Sequence, residues 1–345
     1  MNILKRILAG CFWLSISIPS VFAQPLQPCN DELIMAINGK WTKRPDGSGI
    51  PAQAIVRLEK MQSIVQAAYA APKGIEPRWY QPSTKNPLFP NGPQPYQLTS
   101  GFFEYYCNKN VQKMRLAGET GTWFYIYTNQ FKLFVDEDIF FSIQYQPVYR
   151  IRKKTGEIRG FPVYEGMDNR NTNTGHHYSR AIIITRNGQM PYLVVTKKEY
   201  LTAYLERLKK ENPKHLALFE KMPQPSSAAD KQRRAEDLER LKKLFEDQEK
   251  PARDLLSILS ESEGSTPAIV DDNYADQFKG FVPEEKGGRI LVRLNPSYFD
   301  LKLPKYMPQF LIAYWMCDLG TPQNYWREQV EKNIDLNALQ SLLDK

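Results

Sequence analysis

The stretch Ala181 to Glu211, AIIITRNGQMPYLVVTKKEYLTAYLERLKKE, constrains the fold more than any other part of the chain. Two runs rich in β-branched residues, Ala181 to Thr185 and Tyr192 to Val195, flank Arg186-Asn187-Gly188-Gln189. Asn-Gly tolerates positive φ at both positions, so the pattern predicts a β-hairpin. Thr196 then stands at capping-box spacing from Glu199, ahead of apolar residues at Tyr200, Leu201, Tyr204, Leu205 and Leu208. A helix with one apolar face is expected there. It should end at Asn212-Pro213, because proline disfavours the α region for the residue before it, and Pro213 should open a further short helix through Phe219.

Around this stretch the pattern alternates between strand and helix territory. Asp31 to Ile37 reads as a short helix. From Ala52 to Ala70, with Pro51 at its start, Ile55, Leu58, Met61, Val65, Ala68 and Tyr69 recur at helical spacing, which predicts an amphipathic helix over one face of a sheet. Pro72, Pro77, Pro82, Pro87, Pro90, Pro93 and Pro95 crowd the next segment, which is expected to be a surface loop tethered by Trp79, Tyr80 and Phe89. Leu98 to Lys154 is dense in aromatic and β-branched residues and predicts successive antiparallel strands. Arg150 to Tyr164 reads as a hairpin turning at Lys154-Thr155-Gly156, its basic tip a solvated edge.

Beyond Pro223 to Ser226, Ala228 to Glu249 is a charged helix, with Leu238, Leu241, Phe245, Gln248, Ala252, Leu255 and Leu259 on one seam. Pro251 argues against a continuous coiled coil, so two helices packed as a hairpin against Tyr200 to Leu208 are expected rather than a dimer. Arg289 to Leu294 and Gln309 to Met316 are further strands, and Thr321-Pro322 starts a terminal helix. The expected fold class is α+β: a largely antiparallel β-sheet covered by helices, one domain over 24–345, with a helical insertion at about 197–263.

Residues 1–23 have the make-up of a secretory signal: Lys5 and Arg6, then an apolar run to Ile18, then Val21 and Ala23 at the small-residue sites before cleavage. The run is short of the roughly 20 residues a bilayer span requires, so no transmembrane anchor is expected and the mature chain should be periplasmic or secreted. Leu8-Ala9-Gly10-Cys11 offers a rival lipoprotein signal, disfavoured because the apolar run continues past Cys11. Losing Lys5 and Arg6 takes two charges from a formal net charge of +8, and the remaining excess is spread along the chain, which argues against nucleic acid as a partner. Cys29, Cys107 and Cys317 then remain, matching no metal or redox spacing. A Cys29–Cys107 disulfide would tie down the mature N-terminus; three buried thiols are the alternative.

The chemistry of common enzymes is missing. No G-x-S-x-G, H-E-x-x-H, Walker loop, G-x-G-x-x-G or S-x-x-K is present. The chain has three histidines, His176, His177 and His215. Asp168-Asn169 with Gly175-His176-His177-Tyr178, joined by Asp136, Glu137 and Asp138, is the one constellation from which a hydrolase or metal-dependent enzyme could be built, although adjacent histidines on an extended segment point to opposite sides. No cofactor or metal is expected, nor an oligomer. The leading reading is an exported non-catalytic protein that binds a sugar or peptide on an aromatic sheet face. Trp123, Tyr125 and Tyr127 alternate onto one side of a strand, with Trp79 and Tyr80 as rim candidates from the proline-rich loop. A sheet covered on both sides would instead make these rings core.

The segments NGQMPYLVVTKKEYL and LNPSYFDLKLPKYMPQF resemble parts of uncharacterised exported proteins of Gram-negative bacteria. The resemblance implies export and an α+β body, and transfers no site residue.

Overall fold

In a computed structural model of the chain, the strand Trp123–Thr128 shows why the molecule needs more than one layer. Phe124 and Ile126 point to one side and Tyr127 to the other, and all three are buried. A sheet apolar on both faces must be covered on both. The structure describes residues 30–343 apart from 48–49, 83–85, 109, 111–112, 136–140, 144–145, 167–177, 187, 224–225 and 272–276.

The elements in chain order are α1 (Asp31–Met35), β1 (Thr42–Lys43), α2 (Ala52–Ala68), β2 (Ile75–Tyr80), β3 (Tyr96–Asn108), β4 (Lys113–Leu116), β5 (Trp123–Thr128), β6 (Phe141–Ile143) and β7 (Gln146–Arg150). Then come β8 (Lys154–Ile158), β9 (Phe161–Glu165), β10 (Tyr178–Ile184), β11 (Tyr192–Val194), α3 (Lys197–Lys221), α4 (Ala228–Ile258) and α5 (Glu261–Gly264). The chain closes with β12 (Ile269–Val270), β13 (Arg289–Leu294), β14 (Leu311–Cys317), α6 (Thr321–Asn333) and α7 (Leu336–Gln340). Among the described residues the strands form two sheets. A nine-stranded sheet runs β1-β2-β3-β5-β14-β10-β9-β8 with β4 beside β3, and a five-stranded sheet runs β11-β13-β7-β6 with β12 beside β13. All pairings are antiparallel except β1 with β2.

The result is α+β in four layers. On the outer face of the large sheet, Leu98, Phe102, Phe124, Ile126 and Trp315 pack against Leu58, Met61 and Val65 of α2, Trp326 and Val330 of α6, and Leu336 and Leu339 of α7. On its inner face, Tyr127, Ile183, Ile312 and Tyr314 meet Val292 of the small sheet together with Phe131 and Phe134. The small sheet's far side, with Val148 and Leu291, is covered by Tyr200, Leu201, Tyr204 and Leu208 of α3 and Ala252 of α4. Each fully buried side chain of this size contributes about 1.5–3 kcal/mol through removal from water.

Several expectations are corrected. The Ala181 to Val195 stretch is not a hairpin. β10 pairs with β14 and β9 in the large sheet, whereas β11 pairs with β13 in the small one. Gly188 does sit at positive φ, 72°, but the turn carries the chain between layers. The next hairpin joins β8 to β9 and turns at Arg159-Gly160, at φ 52° and 82°, not at Lys154-Thr155-Gly156, which lies within β8. The proline-rich segment contains β2, paired to β3 along its length; β1 reaches only Arg78 and Trp79, so the missing N–H of Pro77 leaves no ladder bond broken.

The capping box at Thr196 forms as expected, Glu199 N–H donating to Thr196 Oγ1 at 3.2 Å and Thr196 N–H to Glu199 Oε2 at 3.4 Å. Pro213 and Pro251, however, end neither helix. Both are exposed, so the carbonyls their rings displace face water, which can bond them. The opposite faces of α3 and α4 pack as an antiparallel hairpin through Asn212 to Glu249 and His215 to Phe245. No helix among the described residues is long and apolar enough to cross a membrane.

Candidate functional site

The inner face of the large sheet is only partly roofed by the small one. Trp123, Tyr125 and Tyr127 share that face and stack in sequence along β5. Their centroids are 6.0 Å apart at 18° between Trp123 and Tyr125, and 5.5 Å apart at 14° between Tyr125 and Tyr127. Burial is graded along the ladder. Tyr127 is 1% exposed within the inner core, Tyr125 packs at its margin, and Trp123 is half-buried at the open end. α2 lies on the opposite side of the sheet, against Phe124 and Ile126, so it does not seal the ladder.

The open end is held in place by its neighbours. Trp123 Nε1 donates to the Thr120 carbonyl at 2.8 Å, and Thr120 Oγ1 donates to the Phe102 carbonyl at 2.6 Å. The indole lies over Gly101 of β3 and meets Phe103 edge-on at 6.4 Å. Arg78 and Arg44 place their guanidinium carbons 4.5 and 4.9 Å from the centre of the Phe103 ring. Arg78 also donates to Glu76 at 2.9 Å, and Tyr105 OH donates to the other oxygen of Glu76 at 3.3 Å. Burial pushes the Tyr125 phenol well above the usual range, with Tyr80 and Tyr314 adding to the effect. The Tyr125 phenol is therefore neutral at ordinary pH, and its ring lies 6.0 Å from that of Tyr314.

Of the rings predicted from sequence, the structure brings Trp123, Tyr125 and Tyr80 to one surface and separates the others. Tyr127 is core. Trp79 lies in a strand rather than a loop, and alternation turns it to the helix side, where it packs on the outer core with Lys43 4.8 Å above its ring. Phe103, Arg44 and Arg78 were missed. Phe103 lies on the same alternation as Gly101 in GFFEYYC, but Arg44 and Arg78 become legible only once β1 and β2 are seen to pair.

The other candidates fall elsewhere. His176, His177, Asp168, Asn169, Gly175 and Asp136 to Asp138 lie outside the described residues, as do Cys11, Cys29 and the signal segment. Cys107 is disulfide-bonded. Cys317 is a free, buried thiol whose pKa is pushed up to about 12 by burial, and so unreactive. No group of His, Cys, Asp and Glu capable of holding a metal occurs among the described residues. Tyr200, Tyr204, Phe278 and Phe281 form a second aromatic cluster, with Tyr200, Tyr204 and Phe278 buried; it packs α3 on the small sheet. Comparison with family models, with curated proteins and with solved structures finds no match to this chain.

Proposed function

We propose that this is an exported, non-catalytic protein that binds a sugar on the open end of the β5 aromatic ladder. The observation that carries the reading is the fixation of Trp123. Its N–H is satisfied by its own chain, its ring rests on a glycine backbone, and its position needs no ordering when a ligand arrives. The C–H face of a sugar ring is apolar and suits such a surface, while its hydroxyl rim suits the surrounding Tyr80 hydroxyl, Glu76 carboxylate and Arg78 guanidinium. A peptide adding as an extra strand is less favoured, because Pro77 takes an N–H from the strand that borders the platform.

Export rests on the signal-like segment 1–23, with 24–345 as the mature domain and the helices of about 197–263 inserted into it. A Cys29–Cys107 disulfide would suit an oxidising compartment. A glycan array probed with the wild-type mature chain and with Trp123→Ala tests the reading: spots lost in the variant are expected. Spots of equal strength for both proteins would sink it. Cell fractionation tests export separately, and protein left in the cytoplasm would contradict it.

A further inference from the structure

We infer that the sugar bound here is acidic, its carboxylate or sulfate group held by Arg44; the inference rests on the platform reading above. Lys43, Arg44 and Arg78 are the cations that β1, the residue after it and the paired part of β2 supply. Lys43 faces the helix side, where it pairs with Asp46 at 3.1 Å and Glu59 at 3.4 Å. Arg78 pairs with Glu76 at 2.8 Å. Arg44, exposed and immediately after β1, has no carboxylate within ion-pairing distance among the described residues.

The position of Arg44 is nonetheless set. Its N–H donates to the Trp79 carbonyl at 2.8 Å, which fixes strand alternation and turns the side chain away from Lys43 toward Phe103. The guanidinium lies over the Phe103 ring, its carbon 4.9 Å from the ring centre, a cation–π contact that does not consume its N–H fork. That fork fits an anionic group bidentately, and Phe103 connects it to the Trp123 ring. A ligand reaching both groups needs an apolar ring face and an adjacent negative charge, which is the chemistry of a uronic acid or a sulfated sugar.

The test compares three probes of similar length, oligogalacturonate, a sulfated galactan oligomer and a neutral galactan oligomer, titrated into the full mature chain. Tighter binding of an acidic probe than of the neutral one is expected, and which acid binds identifies the anion. Arg44→Ala should weaken the acidic probe by about tenfold or more and leave the neutral one unchanged. Because Arg44 is exposed, the variant should keep the wild-type near-ultraviolet dichroism. Neutral and acidic probes bound alike, or an acidic affinity unmoved by Arg44→Ala, would overturn this inference while leaving the platform standing. Binding of none of the three would overturn the platform reading and the inference together.

Discussion

A Cβ added at Gly101 would lie 2.8 Å from Cζ3 of Trp123. The neighbouring strand thus makes room for the indole by carrying no side chain beneath it. Gly101→Ala should lift the ring off the sheet at a cost of roughly 1 kcal/mol, shift the tryptophan emission to the red, and weaken any ligand the platform holds. Unchanged emission would mean that the ring does not depend on this contact.

Tyr127 and Trp123 stand at the two ends of one stack but should respond differently to truncation. Tyr127→Ala opens a cavity in the inner core and should lower stability by about 3–5 kcal/mol. Trp123→Ala removes a half-buried ring and should cost roughly half as much. Urea denaturation of the two variants measures both, and equal losses would contradict the gradient of burial along the ladder.

Arg234 closes the tip of the helical hairpin. Its guanidinium donates to the carbonyls of Phe219 and Glu220 in the last turn of α3, and of Met222 and Pro223 just beyond it, at 2.6 to 3.0 Å. These include groups that a helix end leaves without partners. Arg234→Ala should destabilise the hairpin by about 1–3 kcal/mol, seen as faster amide exchange at the ends of α3 and α4. Faster exchange confined to the sheets would refute this role.

Alkaline pH should unfold the protein through its buried phenols. Burial raises Tyr69 and Tyr178 from 10.0 to about 12, and Tyr96, Tyr192 and Tyr200 further still. A group whose folded pKa exceeds its unfolded one gives stability that is full below the unfolded value and lost as pH rises toward the folded one. Stability should therefore fall from about pH 10 upward, with tyrosinate absorbance appearing together with the loss of far-ultraviolet dichroism. Gradual ionisation before any unfolding would show that these hydroxyls reach water.

The parts of the fold legible in the sequence are those whose signal is local. The α2 stripe of Leu58, Met61 and Val65, the Thr196 to Glu199 box and the alternation of Trp123 to Tyr127 all depend on neighbours within a few residues. What escaped depends on partners far away. Ala181 to Val195 looks like a hairpin because its turn chemistry is right, but β11 finds β13, about a hundred residues on, in another layer. Pro213 and Pro251 read as helix ends because local preference alone cannot register the α3–α4 contact that carries both helices through. Half of the candidate site was hidden for the same reason: a run of prolines concealed β2, and with it the alternation that turns Tyr80 and Arg78 to the ladder side and Trp79 to the helix side.

The most direct test of the platform is a fluorescence titration of three proteins, wild type, Trp123→Ala and Trp79→Ala, with the strongest glycan from the array. Trp79 lies on the opposite side of the same sheet, so it controls for general damage to β-structure. A saturable change in the wild type and in Trp79→Ala, absent from Trp123→Ala, is the predicted result. A change that survives in Trp123→Ala, or disappears only in Trp79→Ala, would contradict the account by placing the ligand elsewhere.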